Sequence, residues 1–267
     1  MKIALPSTSK QKALGDDVPI PSPTRPVRVR VRPQHSITAL PLHEHPWAQL
    51  TYSVQGVMRV SVPGATWLVP PTRAIWIPPH IPHEVQLLSA AHPHTLYVDP
   101  SQEPITHNHC SVIEIRPFLA SLIAELAQIT QPSAREIALT TLLLEELQQA
   151  PRLPLLLPMP SDRRLRHLCE TLLADPGNQG TLSELAAACG ASERTLSRLF
   201  QKELHMPFAA WRTQLKLMHA VTLASEGMRF AEIANQLGYQ STSAFSAMFK
   251  RTFGVPPSRF LNRLNLN

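Results

Sequence analysis

Two arginines four positions apart, Arg194 and Arg198, carry the clearest chemistry of this 267-residue sequence. Residues at this spacing lie on one face of an α-helix, so both guanidinium groups can point the same way. A guanidinium group can donate two hydrogen bonds to O6 and N7 of guanine, the commonest specific contact in the major groove of DNA. Further outward side chains that can bond bases or phosphate are Ser197, Gln201 and Lys202. This segment is therefore a candidate base-reading surface.

The apolar residues around these arginines predict the helix that presents them. Its predicted inward side chains are Leu196, Leu199, Phe200 and Leu204, and Ser192 can cap its first turn. The preceding Thr181-Leu182-Ser183-Glu184 has the capping-box pattern of another helix start. The predicted buried side of that helix is Leu185, Ala186 and Cys189. Gly190 stands between the two helices, where a sharp turn needs a positive φ.

The same plan recurs 48 residues further along the chain, where Glu232-Ile233-Ala234 and Gly238 match Glu184-Leu185-Ala186 and Gly190. Each copy reads as a helix, a glycine turn and a second helix, which is the helix-turn-helix plan. The second helix of such a motif enters the major groove with its N-terminal residues on base edges. The second copy is predicted to pack Ala244, Phe245, Met248, Phe249 and Phe253 inward and to present Thr242, Ser243, Ser246, Ala247 and Lys250. These outward residues are mostly small, so we expect backbone and methyl contacts more than bidentate base reading from this copy.

Charge and proline divide the chain into two parts. From Ser161 to the end there are 13 Lys/Arg and 8 Asp/Glu residues, whereas residues 1–160 have 12 and 11. A basic second part suits contact with nucleic acid. Of the 27 prolines, 23 lie in the first part, which predicts short strands and turns first and helices afterwards. Between the two copies, residues 208–225 predict one long helix that would hold the two recognition helices at a fixed spacing of about 34 Å.

The first part alternates short apolar runs with turns, which favours a small barrel or jelly roll. The predicted strands are Val27–Arg32, Gln49–Val54, Val57–Val62, Thr66–Val69, Ala74–Ile77, Glu84–Leu88 and Thr95–Val98. The arginines of the first strand are interpreted as a solvated face rather than as a DNA-binding arm. Residues 1–24 lack periodicity and are interpreted as a mobile arm.

Helical spacing replaces strand spacing after residue 113. The predicted inward residues are Ile115, Leu119, Leu122, Ile123 and Leu126 in one helix and Leu139, Leu142, Leu143 and Leu147 in the next. This hairpin can cover the barrel or form a dimer interface, and we expect a homodimer through the Glu114–Leu126 helix. Pro151–Pro160, with four prolines in ten residues, predicts a stiff linker.

Residues from about 165 to 260 resemble the AraC/XylS-type transcription regulators. The matching features are Leu185-Ala186, the two glycine turns, Leu199-Phe200, Ile233-Ala234, Gly238-Tyr239, Phe245, Phe249-Lys250 and Phe253-Gly254-Val255-Pro256-Pro257-Ser258. The resemblance implies a reader that inserts two recognition helices into successive major grooves. The chain departs from the family pattern at Ala247, where the family often has a basic residue, and at Phe260-Leu261, where it often has an aromatic residue followed by arginine.

Two segments of the first part resemble the motifs of cupins. His43-Glu44-His45 with Gln49 and Gly56 is similar to the first motif, and Pro78-Pro79-His80-Ile81-Pro82-His83 is similar to the second. In metal-binding cupins, two histidines of the first motif, a carboxylate, and a histidine of the second bind one ion. Here Gln49 takes the place of the usual glutamate, and a neutral amide is a poor ligand.

In the AraC/XylS-type family the cupin-like domain is usually an effector pocket without metal. The resemblance therefore implies a pocket for a small ligand. The residues that would line it are His43, His45, Trp47, Gln49, Trp76 and His83. Two alternatives stay open: these histidines are hydrogen-bonded residues of the barrel, or His43, His45 and His83 bind a divalent metal. We expect the pocket, with no bound metal and no cofactor.

The predicted fold is α+β, with a cupin-like β-barrel and helical hairpin followed by an all-α domain with two helix-turn-helix motifs. The predicted boundaries are 1–24 for the arm, 25–112 for the effector-binding domain, 113–150 for the hairpin, 151–161 for the linker and 162–267 for the DNA-binding domain. The predicted function is a cytoplasmic transcription regulator, activator or repressor, that binds double-stranded DNA and a small effector, with RNA polymerase as a candidate partner and no membrane association. The alternative is a metal-dependent cupin enzyme fused to a DNA-binding domain.

Overall fold

A computed structural model describes residues 18–32, 39–71, 73–87, 92–106, 108–153, 157–225, 227–253 and 256–257. The chain divides into two units, one made of residues 1–62 and 69–154 and the other of residues 63–68 and 155–267. Most of the predicted arm, His107 and the Phe260-Leu261 pair lie outside the described residues, as do Gly254, Val255 and the side chain of Phe253.

Eleven strands and eight α-helices are formed by the described residues. The strands are β1 (Val27–Val31), β2 (Ala39–His43), β3 (Ala48–Ser53), β4 (Met58–Val62), β5 (Ala65–Val69), β6 (Arg73–Ile77), β7 (His83–Leu87), β8 (Pro93–Val98), β9 (Ser111–Glu114), β10 (Arg152–Leu153) and β11 (Leu157–Pro158). The helices are α1 (Pro117–Gln128), α2 (Ala134–Gln149), α3 (Arg163–Ala174), α4 (Leu182–Ala188), α5 (Glu193–Leu204), α6 (Phe208–Ser225), α7 (Phe230–Gln236) and α8 (Thr242–Phe253). All seven predicted strands are present with ends shifted by no more than two residues, whereas β2, β9, β10 and β11 were not predicted.

The first unit is built on two antiparallel sheets, a sandwich form of the predicted barrel. One sheet has the order β1-β8-β3-β6-β9-β10, and in the other β7 pairs with both β2 and β4. Because side chains alternate along a strand, β3 sends Leu50 to one face of the first sheet and Gln49 and Thr51 to the other. The register pairs Gln49 with Tyr97 and Thr51 with Thr95, so four polar or aromatic side chains line the inner face.

The outer face of the first sheet is covered by α1 and α2. Leu50, Trp76, Leu119 and Leu143 belong to one buried cluster that joins the sheet to both helices. The interpretation of the hairpin as a cover for the sheet is therefore confirmed. Leu142 was predicted to face inward but is 43% exposed, because the inward face of α2 is formed by its neighbours at helical spacing.

Residues at both ends of the first unit are fixed by hydrogen bonds. Ser22 exchanges two backbone hydrogen bonds with Arg25, and the Arg25 guanidinium donates to the Glu136 carboxylate at 2.9 Å. At the other end, the segment predicted as a plain linker forms β10 and β11 on either side of residues 154–156, which lie outside the described residues. The linker prediction was wrong for these two short strands, because strand pairing does not require periodicity in a proline-rich segment.

The second unit contains both helix-turn-helix motifs, α4–α5 and α7–α8, with α6 between them. Gly190 and Gly238 have φ values of +66° and +72°, as the turns require. The capping box of α4 is present, with the Thr181 N–H donating to Glu184 and the Glu184 N–H donating to the Thr181 hydroxyl. β5 pairs with β11 in this unit, and the Trp211 indole N–H of α6 donates to the Pro158 carbonyl at 2.8 Å.

Candidate functional site

The first recognition helix, α5, separates apolar and polar residues as its sequence predicts. Leu196, Leu199, Phe200 and Leu204 are buried. The exposed residues include every predicted DNA contact of this helix: Arg194, Ser197, Arg198, Gln201 and Lys202. The Ser192 hydroxyl accepts from the Thr195 N–H at 3.2 Å and so fixes the first turn. The structure therefore brings all five predicted side chains to one solvent-facing surface.

The second recognition helix, α8, presents a less polar surface. Phe245, Met248 and Phe249 are buried in a cluster with α6 and α7. Thr242, Ser243, Ala247 and Lys250 are exposed and Ser246 is half-buried. Ala244 was predicted to pack inward but is exposed, because the inward face of this helix begins one residue later at Phe245. The exposed small residues can approach a DNA backbone closely but offer few base-specific donors.

A loop before α4 also connects the two motifs, and sequence analysis missed it. The Gln179 amide N–H groups donate to the Gly177 carbonyl at 2.6 Å and to the Leu237 carbonyl, in the turn of the second motif, at 3.5 Å. The Arg212 guanidinium of α6 donates to the Gly180 carbonyl at 2.9 Å and also to the Asn178 carbonyl. The relative placement of α5 and α8 is therefore fixed by this loop as well as by α6.

In the first unit, the structure brings His43, His45 and His83 together at one end of the inner surface. The ring centroids of His43 and His83 are 4.3 Å apart, and that of His45 is 5.1 Å from His83. One ring nitrogen from each residue lies within 4.8 Å of the other two. β2 and β7 pair His43 with His83 directly, and the turn after β2 carries His45 back toward β3. All three are less than 4% exposed.

Each of the three imidazoles is oriented by a backbone carbonyl. The Nδ1 atoms of His43, His45 and His83 lie 2.7, 2.8 and 2.8 Å from the carbonyl oxygens of Pro41, Trp47 and Ile81. A carbonyl accepts and cannot donate, so Nδ1 carries the proton and Nε2 keeps its lone pair. The three lone pairs are thereby directed away from the backbone by local hydrogen bonds.

Of the remaining predicted pocket residues, two lie beside the histidines and one lies on the opposite face of the sheet. The Gln49 Oε1 atom lies 3.0 Å from His45 Nε2, and the Trp47 indole stacks on the His45 ring with centroids 5.1 Å apart. Trp76 is not brought to the histidines, because it belongs to the buried cluster beneath α1 and α2 on the other face of the sheet. Tyr97, which sequence analysis missed, contacts the His45 ring edge-on at 5.9 Å. Alternation along the strand that contains Thr95 and Tyr97 is the pattern that could have identified it.

Burial keeps these imidazoles uncharged. It lowers the pKa of His45 to about 4 and, together with the nearby His43 and His45 rings, lowers the pKa of His83 to about 3. Burial also lowers the pKa of His43, and the positive charge of Arg32 adds to this effect. All three rings are therefore neutral at pH 7 and can act as acceptors or ligands.

A narrow cavity continues from this cluster between the two sheets of the first unit. Its volume is about 20 Å³, room for about one water molecule. The lining residues are Arg32, Leu40, Gln49, Thr51, Val85, Leu87, Pro93, Thr95 and Tyr97. The Thr51 and Thr95 hydroxyls lie 3.1 Å apart across the strands. The cavity combines one cation, hydroxyl groups and apolar walls, a mixture that suits a small polar organic molecule.

Comparisons with known proteins agree for both units. Residues 28–193 match the family described as the AraC-like ligand binding domain, and residues 185–263 match a helix-turn-helix domain. The chain is 35% identical over 229 residues to the HTH-type transcriptional regulator NimR of Escherichia coli, covering 84% of this chain and 83% of NimR. It is 33% identical over 103 residues to the HTH-type transcriptional regulator RipA of Corynebacterium glutamicum, covering 39% of this chain and 31% of RipA. Among solved structures, ToxT of Vibrio cholerae is 12% identical with a TM-score of 0.40, covering 90% of this chain and 99% of ToxT.

Proposed function

The chain belongs to the AraC-type family of transcription regulators, and from this membership we propose that α5 reads bases while the cavity of the first unit binds the effector. The chain contains a region that matches a ligand-binding domain and a region that matches a helix-turn-helix domain, as a regulator that responds to an effector requires. The observation that carries the proposal is the row of exposed polar side chains on α5, with Arg194 and Arg198 one turn apart. In the described part of the second unit, no other helix places two exposed arginines on the outward face of a helix-turn-helix motif.

We propose that α5 supplies direct base contacts and that α8 supplies mainly backbone contacts. Arg194 and Arg198 can each bind guanine in the major groove, whereas Thr242 and Ser243 are suited to phosphate. The loop at Gln179 and the length of α6 hold the two helices in one arrangement, so the unit can dock on successive major grooves without reorganising. Specificity should therefore be concentrated at the half-site that α5 contacts.

The effector is proposed to act by opening the cavity. A cavity of about 20 Å³ is far smaller than the pockets of roughly 300–1,000 Å³ that hold small organic ligands, so the effector is proposed to bind an arrangement in which the sheets or the rings move apart. A ligand changes an equilibrium only by binding two conformations unequally. Expansion of this cavity provides that difference, with Gln49, Thr51, Thr95 and Arg32 as the groups that recognise the ligand. Trp47 and the three histidines close one end.

The partners of the protein and its place in the cell are proposed from its role as a transcription regulator. We propose a homodimer through α1, where Phe118 is 53% exposed beside the buried stripe of the helix, and action in the cytoplasm on chromosomal DNA with RNA polymerase as a further partner. Within the described residues, no helix is long and apolar enough to cross a membrane. The relatives of this chain are transcription regulators, which supports a regulatory rather than an enzymatic role.

The direct test is binding to the DNA upstream of the gene that encodes the chain, compared with random DNA of equal length over a salt series. A sequence-specific regulator prefers its own site by about a thousandfold or more, and the preference persists as salt rises. Binding that is equal on both DNAs and disappears with salt, with and without cell extract metabolites, would refute specific reading by α5.

A further inference from the structure

We propose that Lys216, on α6, binds a phosphate of the DNA backbone between the two stretches of DNA that α5 and α8 contact. The proposal rests on DNA binding by the second unit and adds a contact from the helix between the two motifs, which neither recognition helix supplies. The ligand is a phosphate diester, an anion with oxygen acceptors, and it is recognised by its charge and not by base sequence.

The first argument is the position of the Lys216 side chain. Lys216 stands between the buried residues Leu215 and Leu217, and only 8% of it is exposed. Its ammonium group lies over the Tyr239 ring, 5.3 Å from the centroid, a cation–π contact that holds the group in one place. The ammonium has no hydrogen-bond acceptor among the described residues, yet its nitrogen is not sealed from solvent. Three N–H groups are therefore free to donate to an anion.

The second argument is that a second cation lies one turn earlier on the same helix. The Arg212 guanidinium donates to the carbonyls of Gly180 and Asn178, and these neutral acceptors do not compensate its charge. Neither cation forms an ion pair with a carboxylate of the described residues. Burial, together with the charge of Arg212, lowers the pKa of Lys216. Two neighbouring positive charges without a counter-ion destabilise the free protein, and a bound phosphate offsets that cost.

The third argument is that these two cations lie between two segments that approach DNA. Tyr239, beneath the Lys216 ammonium, belongs to the turn that leads into α8 at Thr242. Gly180, bound by Arg212, belongs to the loop that leads into α4 at Leu182. In a helix-turn-helix motif the recognition helix enters the groove by its N-terminal end and the first helix crosses the backbone. The two cations therefore lie where both motifs meet the backbone between successive major grooves.

The loop before α4 and the turn before α8 also pack too closely to rearrange easily. A β-carbon at Gly238 would collide with the Gln179 side chain, and one at Gly177 would lie 2.7 Å from the Gln236 carbonyl oxygen. The Gln179 amide also donates to the Leu237 carbonyl at 3.5 Å. The surroundings of Lys216 are therefore already in place before DNA binds, so the contact does not require ordering of the loop or the turn.

The test measures binding of full-length Lys216→Met to the upstream duplex and to a random duplex of equal length over a salt series. Losing one phosphate contact should lower the slope of log K against log salt by about 0.9, which is about eightfold in affinity near 0.1 M salt, on both duplexes. Lys216→Arg, which keeps the charge, should keep the slope. Methionine keeps an apolar stem and removes an uncompensated charge, so the melting temperature of Lys216→Met should be unchanged or higher.

Arg164→Gln is the matched control, since it removes one positive charge from an exposed residue of the same unit that pairs with Asp162 at 3.0 Å. It should leave the salt slope unchanged. The proposal is overturned if Lys216→Met keeps the wild-type slope, or if Arg164→Gln lowers the slope equally, because net charge alone would then explain the loss. A wild type without preference for the upstream duplex would instead contradict base reading by α5, while the slope on random DNA still tests Lys216.

Discussion

Replacing Arg198 with alanine should weaken specific DNA binding without disturbing the helix that carries it. Arg198 is exposed in the middle of α5, while its neighbours Leu196 and Leu199 supply the buried contacts. Alanine has the highest helix propensity of all residues, so the helix should persist. The change therefore removes one guanidinium group from the recognition surface and leaves the packing of the second unit intact.

The size of the effect follows from the contact that Arg198 is proposed to make. One bidentate contact to a base contributes about 1–3 kcal/mol of discrimination, which corresponds to an affinity about 5- to 150-fold lower for the specific site. Affinity for random DNA should change little. The slope of log K against log salt should also be preserved, because a slope of about 0.9 is lost for each phosphate contact removed.

Fluorescence anisotropy with a labelled upstream duplex and a random duplex, from about 50 to 200 mM salt, measures the affinity for the specific site, the affinity for random DNA and the salt slope. Arg135→Ala is the matched control, because Arg135 is an exposed arginine of the first unit that pairs with Glu125 at 2.7 Å. An equal loss on both duplexes, accompanied by a shallower salt slope, would show that Arg198 contacts phosphate. No loss on the specific duplex would refute base reading by this residue.

Three further predictions concern stability and assembly. Gly190→Ala should lower the free energy of unfolding by about 1–2 kcal/mol in thermal or urea melts, because φ at this position is +66°; an unchanged melting temperature would contradict this. Ser192→Ala should cost about 1 kcal/mol by removing the cap of α5, and Ser192→Asp, which restores an acceptor, should recover most of it. Phe118→Ser should convert a dimer to monomer in sedimentation velocity at micromolar protein if α1 forms the interface, and a wild-type monomer at that concentration would refute the proposed dimer.

The second unit could be predicted closely from the sequence because its determinants are local. The capping residues Thr181 and Ser192 and the glycine turn at Gly190 act within a few positions of themselves, and all three have the predicted geometry. The contact of Gln179 with Leu237 spans 58 residues. No periodicity or motif encodes such a pairing, so the loop that ties the two motifs together could not be predicted.

The first unit shows where the same reasoning fails. The cupin-like motifs correctly bring His43, His45 and His83 together, but the prediction that Trp76 lines the same pocket was wrong. Adjacent strand residues point to opposite faces, and Trp76 faces the helices. The same rule applied to β8 would have identified Tyr97 and Thr95 as inner residues, once the pairing of β3 with β8 was known. The missing information was strand pairing, which is non-local.

The path of the chain through the two units differs from the sequence prediction. A single linker at 151–161 was predicted, but residues 63–68 group with the second unit while the residues on either side of them group with the first. The chain therefore passes between the units three times. Within the second unit, β5 pairs with β11, whose Pro158 carbonyl accepts from Trp211 of α6. Because α6 also holds the loop at Gly180 through Arg212, the short strand β11, the helix α6 and the loop before α4 form one hydrogen-bonded series within the second unit, and a change at any of them can alter the spacing of α5 and α8.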